Sequence, residues 1–209
     1  IFFMHDVFFQ NLLKAIVAID PISLIPIFTA ITTTINLRET IKLSVIVFII
    51  TSFLLTFFCI YGNNFLVYMG VSLGSFQIVG GLFLLIISYE MVLEKRVKRK
   101  KNLTTNLSDD FSIDSIAVFP ISIPLIAGPS AITLSVLISK NFDYTLQSFY
   151  LNVSPLILTL LATSIIIFLS KVIGNFFNMT ILNIIQRIFG LILGALAIQF
   201  VINGIKLEL

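Results

Sequence analysis

Six apolar stretches dominate this chain of 209 residues, and each is long enough to cross a bilayer. A helix needs about 20 predominantly apolar residues to span a hydrocarbon core roughly 30 Å thick. Only 11% of the residues are charged, whereas about a quarter are charged in a soluble domain. The sequence therefore predicts an all-α integral membrane protein with six transmembrane helices, at Val7–Ile31, Ile41–Gly62, Phe65–Leu93, Ile116–Ile138, Tyr150–Val172 and Thr180–Gly204.

A carboxylate and two helix breakers interrupt the first stretch, at Asp20, Pro21 and Pro26. Asp20 lies 13 residues beyond Val7, which is roughly 20 Å along a helix and therefore well inside the hydrocarbon. A carboxylate at that depth is costly, and a proline inside a helix frees a backbone carbonyl. We therefore expect this backbone to be buried in protein or to line a wet cavity.

A related break follows 108 residues later, at Gly128-Pro129 in the fourth stretch. Val79-Gly80-Gly81-Leu82 in the third stretch and Phe189-Gly190-Leu191-Ile192 in the sixth correspond at a similar offset of 110. Because three is an odd number of spans, a second copy would enter the membrane from the opposite side. The offsets predict two inverted three-helix repeats with a broken first helix in each half, an architecture of secondary transporters. Chance similarity between apolar segments is the alternative.

The segment 94–115 divides the chain into a first repeat, residues 1–93, and a second repeat, residues 116–209. It begins with six basic residues within 95–101 and continues with polar and acidic residues, a composition that cannot build a core. With six spans, nine basic residues lie on its side of the membrane and two on the other. The positive-inside rule then predicts a cytoplasmic central loop and both termini outside. The opening stretch has no cationic segment with a cleavage site, so we expect the first span to be retained.

Few residues offer enzymatic or metal-binding chemistry. The chain has one cysteine, Cys59, and one histidine, His5, which lies near the N-terminus, so we expect no His/Cys metal site and no Ser-His or Cys-His pair in the middle of the chain. It also lacks the phosphate-binding and dinucleotide-binding glycine motifs. We therefore expect no enzyme activity, no cofactor and no metal. The basic tract follows an apolar span directly, which favours a topology signal over a nucleic-acid site, and the lipid bilayer is the expected partner.

Small and hydroxyl-bearing residues surround the two breaks and form the candidate solute site. The N-terminus of a half-helix presents free N–H groups that suit a carboxylate, and a glycine lets a ligand approach the backbone. Asp20 has two interpretations: a structural N-cap for the helix that begins at Pro21, or a proton carrier or cation partner. For the small residues, close helix packing is the alternative. The candidate binding residues are Asp20, Pro21, Ser23, Ser122, Gly128, Pro129, Ser130 and Thr133.

Three further patterns give local expectations. Asn63-Asn64 predicts a tight turn between the second and third spans. Gln77 and Gln199 lie at matching places in the two halves and are candidates for hydrogen bonds across helices. Gly190-x-x-x-Gly194 is a close-packing spacing that would also suit a homo-oligomer.

Three segments resemble the MarC family of bacterial inner-membrane proteins. They are residues 12–32, which include Asp20-Pro21-Ile22-Ser23, then Val71–Gly81, and most specifically Ala117–Thr133. The resemblance covers nearly the whole chain. This chain has Ser23-Leu24 where family members usually have Gly-Asn, and Ser130 where they have Gly.

The resemblance implies a fold and a function. The family looks like part of a lysine-exporter-type superfamily of small transporters, and some relatives are described as neutral amino acid transporters. It implies a multi-pass protein of the bacterial inner membrane, and the charge count given above then places both termini in the periplasm. It also implies secondary transport of a small solute, with neutral amino acids the leading candidate and protons or sodium as the coupling ion. The alternative is a non-transporting scaffold or envelope factor, in which Asp20 is a cap and nothing more.

Overall fold

A computed structural model describes residues 2–95, 112–140, 142–173 and 179–209, and this part of the chain consists of helices and turns without a strand. Seven helices carry the fold: α1 Phe2–Ile19, α2 Ile25–Thr32, α3 Leu37–Tyr68, α4 Leu73–Val92, α5 Pro129–Ser139, α6 Ser154–Ile173 and α7 Met179–Glu208. Shorter helical turns lie at Ile22–Leu24, Ile113–Ile116, Leu146–Ser148 and Phe149–Val153. The proline segment, Ala117–Ile126, leads into α5.

The described residues include five helical segments that are long and apolar enough to cross a membrane, as the sequence predicts for an all-α integral membrane protein. They are Asp6–Thr32, Leu37–Tyr68, Leu73–Val92, Leu146–Ser170 and Thr180–Glu208. A sixth passage is added if Ile113–Ile126 and Pro129–Ser139, which are bent by 66° at their junction, count as one span. Large apolar side chains such as Phe53 and Leu13 are 73% and 62% exposed, as expected for surfaces that contact lipid.

The predicted turn at Asn63-Asn64 is wrong. Helix α3 continues through both asparagines to Tyr68, and the reversal follows at Gly70, which has a φ of 69°. The N–H of Val71 donates to the carbonyl of Leu66 at 3.0 Å, and Gly70 N–H donates to Val67 at 3.1 Å. This is a glycine-terminated helix end in which the last carbonyls are satisfied. Asparagine disfavours a helix only weakly, so tertiary contacts decide its conformation here.

Helices α4 and α7 pack antiparallel along a seam of small residues. A Cβ atom at Gly81 would lie 2.7 Å from the carbonyl oxygen of Ala197, so the two backbones approach closely. Gly204 meets the backbone of Gly74, and Gly190 meets the backbone of Ser88. Small residues therefore recur at every seventh position on both helices, at Gly74, Gly81 and Ser88 on α4 and at Gly190, Ala197 and Gly204 on α7.

This seam uses Gly190 and Gly194 within the chain. A Cβ at Gly194 would lie 2.6 Å from Ser88 Oγ, and one at Gly190 would lie 2.9 Å from Met91 Cβ. The pair of glycines therefore packs closely against α4 within the chain, as its spacing predicts, and a homo-oligomer stays a prediction.

Contacts near the ends of the helices show that the connecting segments lie on two opposite faces of the bundle. On one face, Lys42 pairs with Asp114 at 2.7 Å and Arg187 pairs with Glu94. On the other face, Asn63 N–H donates to Ser139 Oγ at 2.6 Å. We call this second face the Ser139 face. Glu208 also lies there, where it accepts from Ser75 N–H at 3.0 Å.

Helix α5 lies at the centre of the bundle. Every residue from Thr133 to Ser139 is buried, although these residues include three hydroxyl-bearing side chains. Its neighbours are α1, α3 and α4. The main apolar core joins Ile19, Phe28, Leu55, Ile126 and Ala131, so it forms around the two helix breaks. Burial of broken backbone within protein is what a hydrocarbon environment requires.

Candidate functional site

The first break is built around Asp20. Its N–H still closes α1 by donating to Ile16 at 2.8 Å, but its φ is 55°, in the left-handed region. The following proline disfavours right-handed helical geometry at this position, and aspartate tolerates the left-handed one. Asp20 Oδ1 accepts from Ser23 N–H at 3.4 Å, and Ser23 Oγ donates to Asp20 O at 3.0 Å. Asp20 thus makes a cap-like contact with the short turn that follows it.

The second break is a longer stretch of irregular backbone. Phe119 and Ile123 are extended, and each precedes a proline, as sterics at X-Pro bonds favour. Ser122 sits between them, where its Oγ donates to Ala117 O at 2.7 Å and its carbonyl accepts from Ala127 N–H at 2.9 Å. Gly128 is extended, and α5 then begins with a proline at its first turn.

A hydrogen bond joins the two breaks. Ser130 Oγ, in the first turn of α5, donates to the carbonyl oxygen of Ala18 at 2.7 Å. In an unbroken helix this carbonyl would accept from the N–H of Ile22. Ser130 therefore supplies a donor at the point where Pro21 diverts the chain. This bond brings the first turn of α5 next to the first break.

The contact between the breaks is enclosed by protein. Asp20, Ser23 and Ser122 are each 0% exposed, and Gly128 is buried. Pro129 is exposed instead and, with Thr133, borders an apolar groove of about 310 Å³ against α4. The candidate residues thus divide between a closed polar contact and a surface groove.

A polar cavity lies elsewhere among the described residues, on the Ser139 face. It has a volume of about 560 Å³, within the usual range for small-molecule sites. Its lining includes neither Asp20 nor Gly128. Helix α1 contributes one face, at positions 7, 10, 11 and 14, whose spacing of three and four residues aligns them along the helix. The other walls come from Gln77, Leu134, Leu137, Ile138, Lys140, Asp143, Gln147, Ser148, Leu151, Asn152, Phe200 and Asn203.

One wall of this cavity is held by a network of amides. Asn11 Nδ2 donates to Leu151 O at 2.9 Å and to Asn152 Oδ1 at 3.1 Å. Asn152 Nδ2 donates in turn to Ser148 Oγ at 3.0 Å. Asn11, Asn152 and Ser148 are all more than nine-tenths buried. These bonds fix α1 against the helical turns that precede α6 and give the cavity a defined polar wall.

Three charged side chains line the cavity: Lys14, Lys140 and Asp143. Asp143 Oδ1 accepts from Thr145 Oγ1 at 2.7 Å and from Thr145 N–H at 3.2 Å. These bonds hold the pKa of Asp143 below its usual value. Lys14 is half-buried, and no carboxylate of the described residues lies within ion-pair distance of it.

Apolar side chains separate the cavity from the breaks. Leu134 and Phe200 border the cavity and also a small void of about 10 Å³ beneath it. That void reaches Ala18, the residue whose carbonyl accepts from Ser130. Lys14 borders both spaces. The polar cavity therefore ends one helical turn before the junction of the two breaks.

Comparison with known proteins places the chain in a family. Residues 5–209 match the family model described as MarC family integral membrane protein. The chain belongs to the MarC family. As a MarC-family protein it is an integral membrane protein, in agreement with its apolar helices.

Curated relatives carry names that give a membrane location and no activity. A UPF0056 membrane protein of Buchnera aphidicola is 33% identical over 127 residues, which are 59% of this chain and 57% of the relative. One from Methanocaldococcus jannaschii is 35% identical over 125 residues, 59% of this chain and 54% of the relative. The UPF0056 membrane protein YhcE of Escherichia coli is 27% identical over 136 residues, 65% of this chain and 63% of the relative. The MarC-family chain thus spans between about half and two thirds of these relatives. No solved structure matches it.

The cavity of this MarC-family chain was not predicted from its sequence. Lys14 is not among the candidate site residues that the sequence indicates, and Gln77 was expected to bond across helices together with Gln199. Gln199 Nε2 instead donates to Asn203 Oδ1 on its own helix at 2.9 Å. The signal that could have found the cavity is the polar face of the first span, where Gln10, Asn11 and Lys14 share one side of a helix.

Proposed function

We propose that this MarC-family protein is a secondary transporter of a small solute, with neutral amino acids the leading candidate. The observation that carries the proposal is a polar cavity of about 560 Å³ inside a bundle of apolar helices, next to two broken helices. Broken helices in corresponding halves of a membrane protein point to a transport site. Buried amides and a lysine are costly within a membrane, so their convergence on one cavity favours a functional role.

We further propose that the chain is a pair of inverted repeats, residues 1–93 and 116–209, joined by a linker at 94–115. Three features support this arrangement. Each half begins with a broken passage, first at Asp20-Pro21 and again at Gly128-Pro129. The third long helix of each half, α4 and α7, pack antiparallel. The first half also enters from the Ser139 face, whereas the second enters from the face where Lys42 meets Asp114.

In this proposal the breaks are the moving part of the transporter. The structure has a cavity on the Ser139 face and an enclosed junction beneath it, as expected for a conformation that is open to one side. Separation of the Ser130–Ala18 contact would expose Asp20, Ser23 and Ser122 to the solute. Asp20 would then be the proton-linked or cation-binding centre, with protons or sodium as the coupling ion. Each break would form one wall of the solute site. These walls also include the proposed binding residues Pro21, Gly128, Pro129 and Thr133.

We propose a bacterial inner-membrane location with the segment 94–115 in the cytoplasm and both termini in the periplasm. The excess of basic residues near this segment supports the orientation. The polar cavity would then open toward the periplasm.

Uptake by proteoliposomes tests the proposed function. The purified protein is reconstituted, and uptake of radiolabelled glycine and alanine is followed with inward gradients of protons or sodium. We expect uptake above that of protein-free liposomes for at least one neutral amino acid. Absence of uptake across several neutral amino acids, with either gradient and in either orientation, would contradict the proposal that neutral amino acids are the substrate.

A non-transporting scaffold is the second candidate. The enclosure of Asp20, Ser23 and Ser122 favours it, because the contacts of Asp20 with Ser23 suit a structural cap. The two candidates differ in a simple observation. A transporter should show solute-dependent changes in the accessibility of the break, whereas a scaffold should keep this region closed under all solute conditions.

A further inference from the structure

We propose that Lys14 and Gln77 form the subsite that recognises the solute, with Lys14 holding a carboxylate and Gln77 accepting a hydrogen bond from an adjacent ammonium group. This inference rests on the proposed transport function and specifies its ligand. It places the first binding site in the cavity on the Ser139 face, above the two breaks.

The position of Lys14 is the first argument. It lies eight residues after Asp6, which begins the first span, so its Cα is roughly 12 Å along the helix. It belongs to the α1 face that lines the cavity at positions 7, 10, 11 and 14. The side chain therefore borders this cavity. It also borders the small void that leads toward Ala18, so it stands at the inner end of the cavity.

Charge is the second argument. Lysine in a membrane span normally pairs with an acid, but no described carboxylate lies within ion-pair distance of Lys14. The one carboxylate in the cavity lining is Asp143, and its Oδ1 already accepts two hydrogen bonds from Thr145. The lining thus carries two lysines and one aspartate, and an anionic group is the ligand that balances it.

Gln77 gives an independent third argument. It lies on α4, lines the same cavity and is only 8% exposed. Its Oε1 has no hydrogen-bond partner among the described residues. A buried acceptor without a partner costs about 1–3 kcal/mol of stability. A hydrogen-bond donor on the solute would remove this cost. A solute with a carboxylate and a neighbouring ammonium group, such as an α-amino acid, meets both requirements.

Snorkelling is the competing explanation for Lys14, because a long side chain can carry its ammonium group to the membrane surface. It explains a lysine near a helix end, but it gives no account of the unpartnered Gln77 oxygen in the same cavity. The two explanations also differ in their consequences. A snorkelling lysine affects insertion and stability, whereas a recognition lysine affects the choice between solutes.

Ligand-dependent thermal stability of the full chain in detergent tests the subsite without requiring transport. The probes are L-alanine, which has both groups, L-alaninamide, which lacks the carboxylate, and propionate, which lacks the ammonium. The variants are Lys14→Met, Lys14→Arg and Gln77→Leu. Lys206→Met, an exposed lysine on α7 outside the cavity lining, is the matched control.

We expect L-alanine to raise the melting temperature of the wild-type protein, with weaker effects of propionate and no effect of L-alaninamide. Lys14→Met should weaken alanine binding at least tenfold, Lys14→Arg should keep most of it, and Lys206→Met should not change it. Gln77→Leu should weaken alanine binding and leave propionate binding unchanged. Comparison of the unliganded melting temperatures separates misfolding from loss of the site.

Equal binding of alanine and alaninamide, or alanine binding that is unchanged in Lys14→Met, would overturn the subsite. No stabilisation of the wild-type protein by alanine or propionate would also overturn it. The proposed transport function can fail separately. Lys14-dependent binding without any uptake into proteoliposomes would support the binding site and contradict the transport function. Uptake of alanine that is unaffected in Lys14→Met would support the transport function and contradict the binding site.

Discussion

Ser130 on α5 donates a 2.7 Å hydrogen bond to the carbonyl oxygen of Ala18 on α1, across 112 residues of sequence. This bond joins the two helix breaks directly, although they belong to different halves of the chain. It lies beneath the polar cavity and is separated from it by Leu134 and Phe200. The junction is therefore a closed contact in this conformation, and the cavity is a separate space above it.

Loss of the Ser130 hydroxyl should destabilise this junction. We expect Ser130→Ala to lower the free energy of unfolding by about 1 kcal/mol, within the range seen for hydrogen bonds between membrane helices. Unfolding in mixed detergent micelles measures the change. Thr33→Ala is a suitable control, because Thr33 Oγ1 is exposed and donates only within its own helix. Equal stabilities of Ser130→Ala and the wild-type protein would show that the bond contributes little.

The seam between α4 and α7 should not tolerate a larger residue at Gly81. A Cβ there would lie 2.7 Å from the backbone oxygen of Ala197, so Gly81→Val must separate the helices. We expect a loss of about 1–3 kcal/mol in the free energy of unfolding, which is typical of overpacking. Gly194→Ala should cost less, because its closest contact is the hydroxyl of Ser88, which can rotate. The reverse order of the two variants would contradict the close backbone approach.

Much of the architecture could be predicted from the sequence, because a membrane converts apolar length directly into helical spans. The six predicted stretches correspond to the five helices and the bent pair of the structure. The turn predicted at Asn63-Asn64 lies instead at Gly70, whose positive φ ends the helix. Local propensity is a weak guide where a long helix is held by its neighbours.

The candidate site was predicted only in part. Proline and glycine mark broken backbone, so the breaks at Asp20-Pro21 and Gly128-Pro129 were visible in the sequence. The enclosure of Asp20 was not, because burial depends on how α5 packs against α1. The polar cavity was missed for the same reason: its walls come from four long helices and the segment before α6, and only the α1 face shows a local pattern.

Asp143 gives a prediction for pH. Hydrogen bonds from Thr145 lower its pKa from the usual 3.8, so the folded state favours the carboxylate. This contribution to stability is present above the unfolded pKa and is lost as the pH falls through the lower folded value. We expect Thr145→Val to raise the pKa of Asp143 toward 3.8. An NMR titration of the Asp143 carboxyl carbon measures it, and an unchanged pKa in the variant would contradict this cause.

Asp20→Asn should separate the two interpretations of Asp20. Asparagine also tolerates left-handed geometry and can accept the bond from Ser23, so the variant should fold with stability close to that of the wild-type protein. If the carboxylate carries a proton, uptake should lose its dependence on the proton gradient. Full pH-dependent uptake by this variant in proteoliposomes would remove the proton role and leave Asp20 as a cap.

The most direct test of the account is the accessibility of the first span to a membrane-impermeant thiol reagent. In a Cys59→Ala background, Lys14→Cys and Leu13→Cys are compared in membranes. Leu13 is 62% exposed but lies outside the cavity lining, so it should face lipid. We predict rapid labelling at position 14 and little labelling at position 13. Equal labelling at the two positions, or none at position 14, would contradict a water-filled solute cavity.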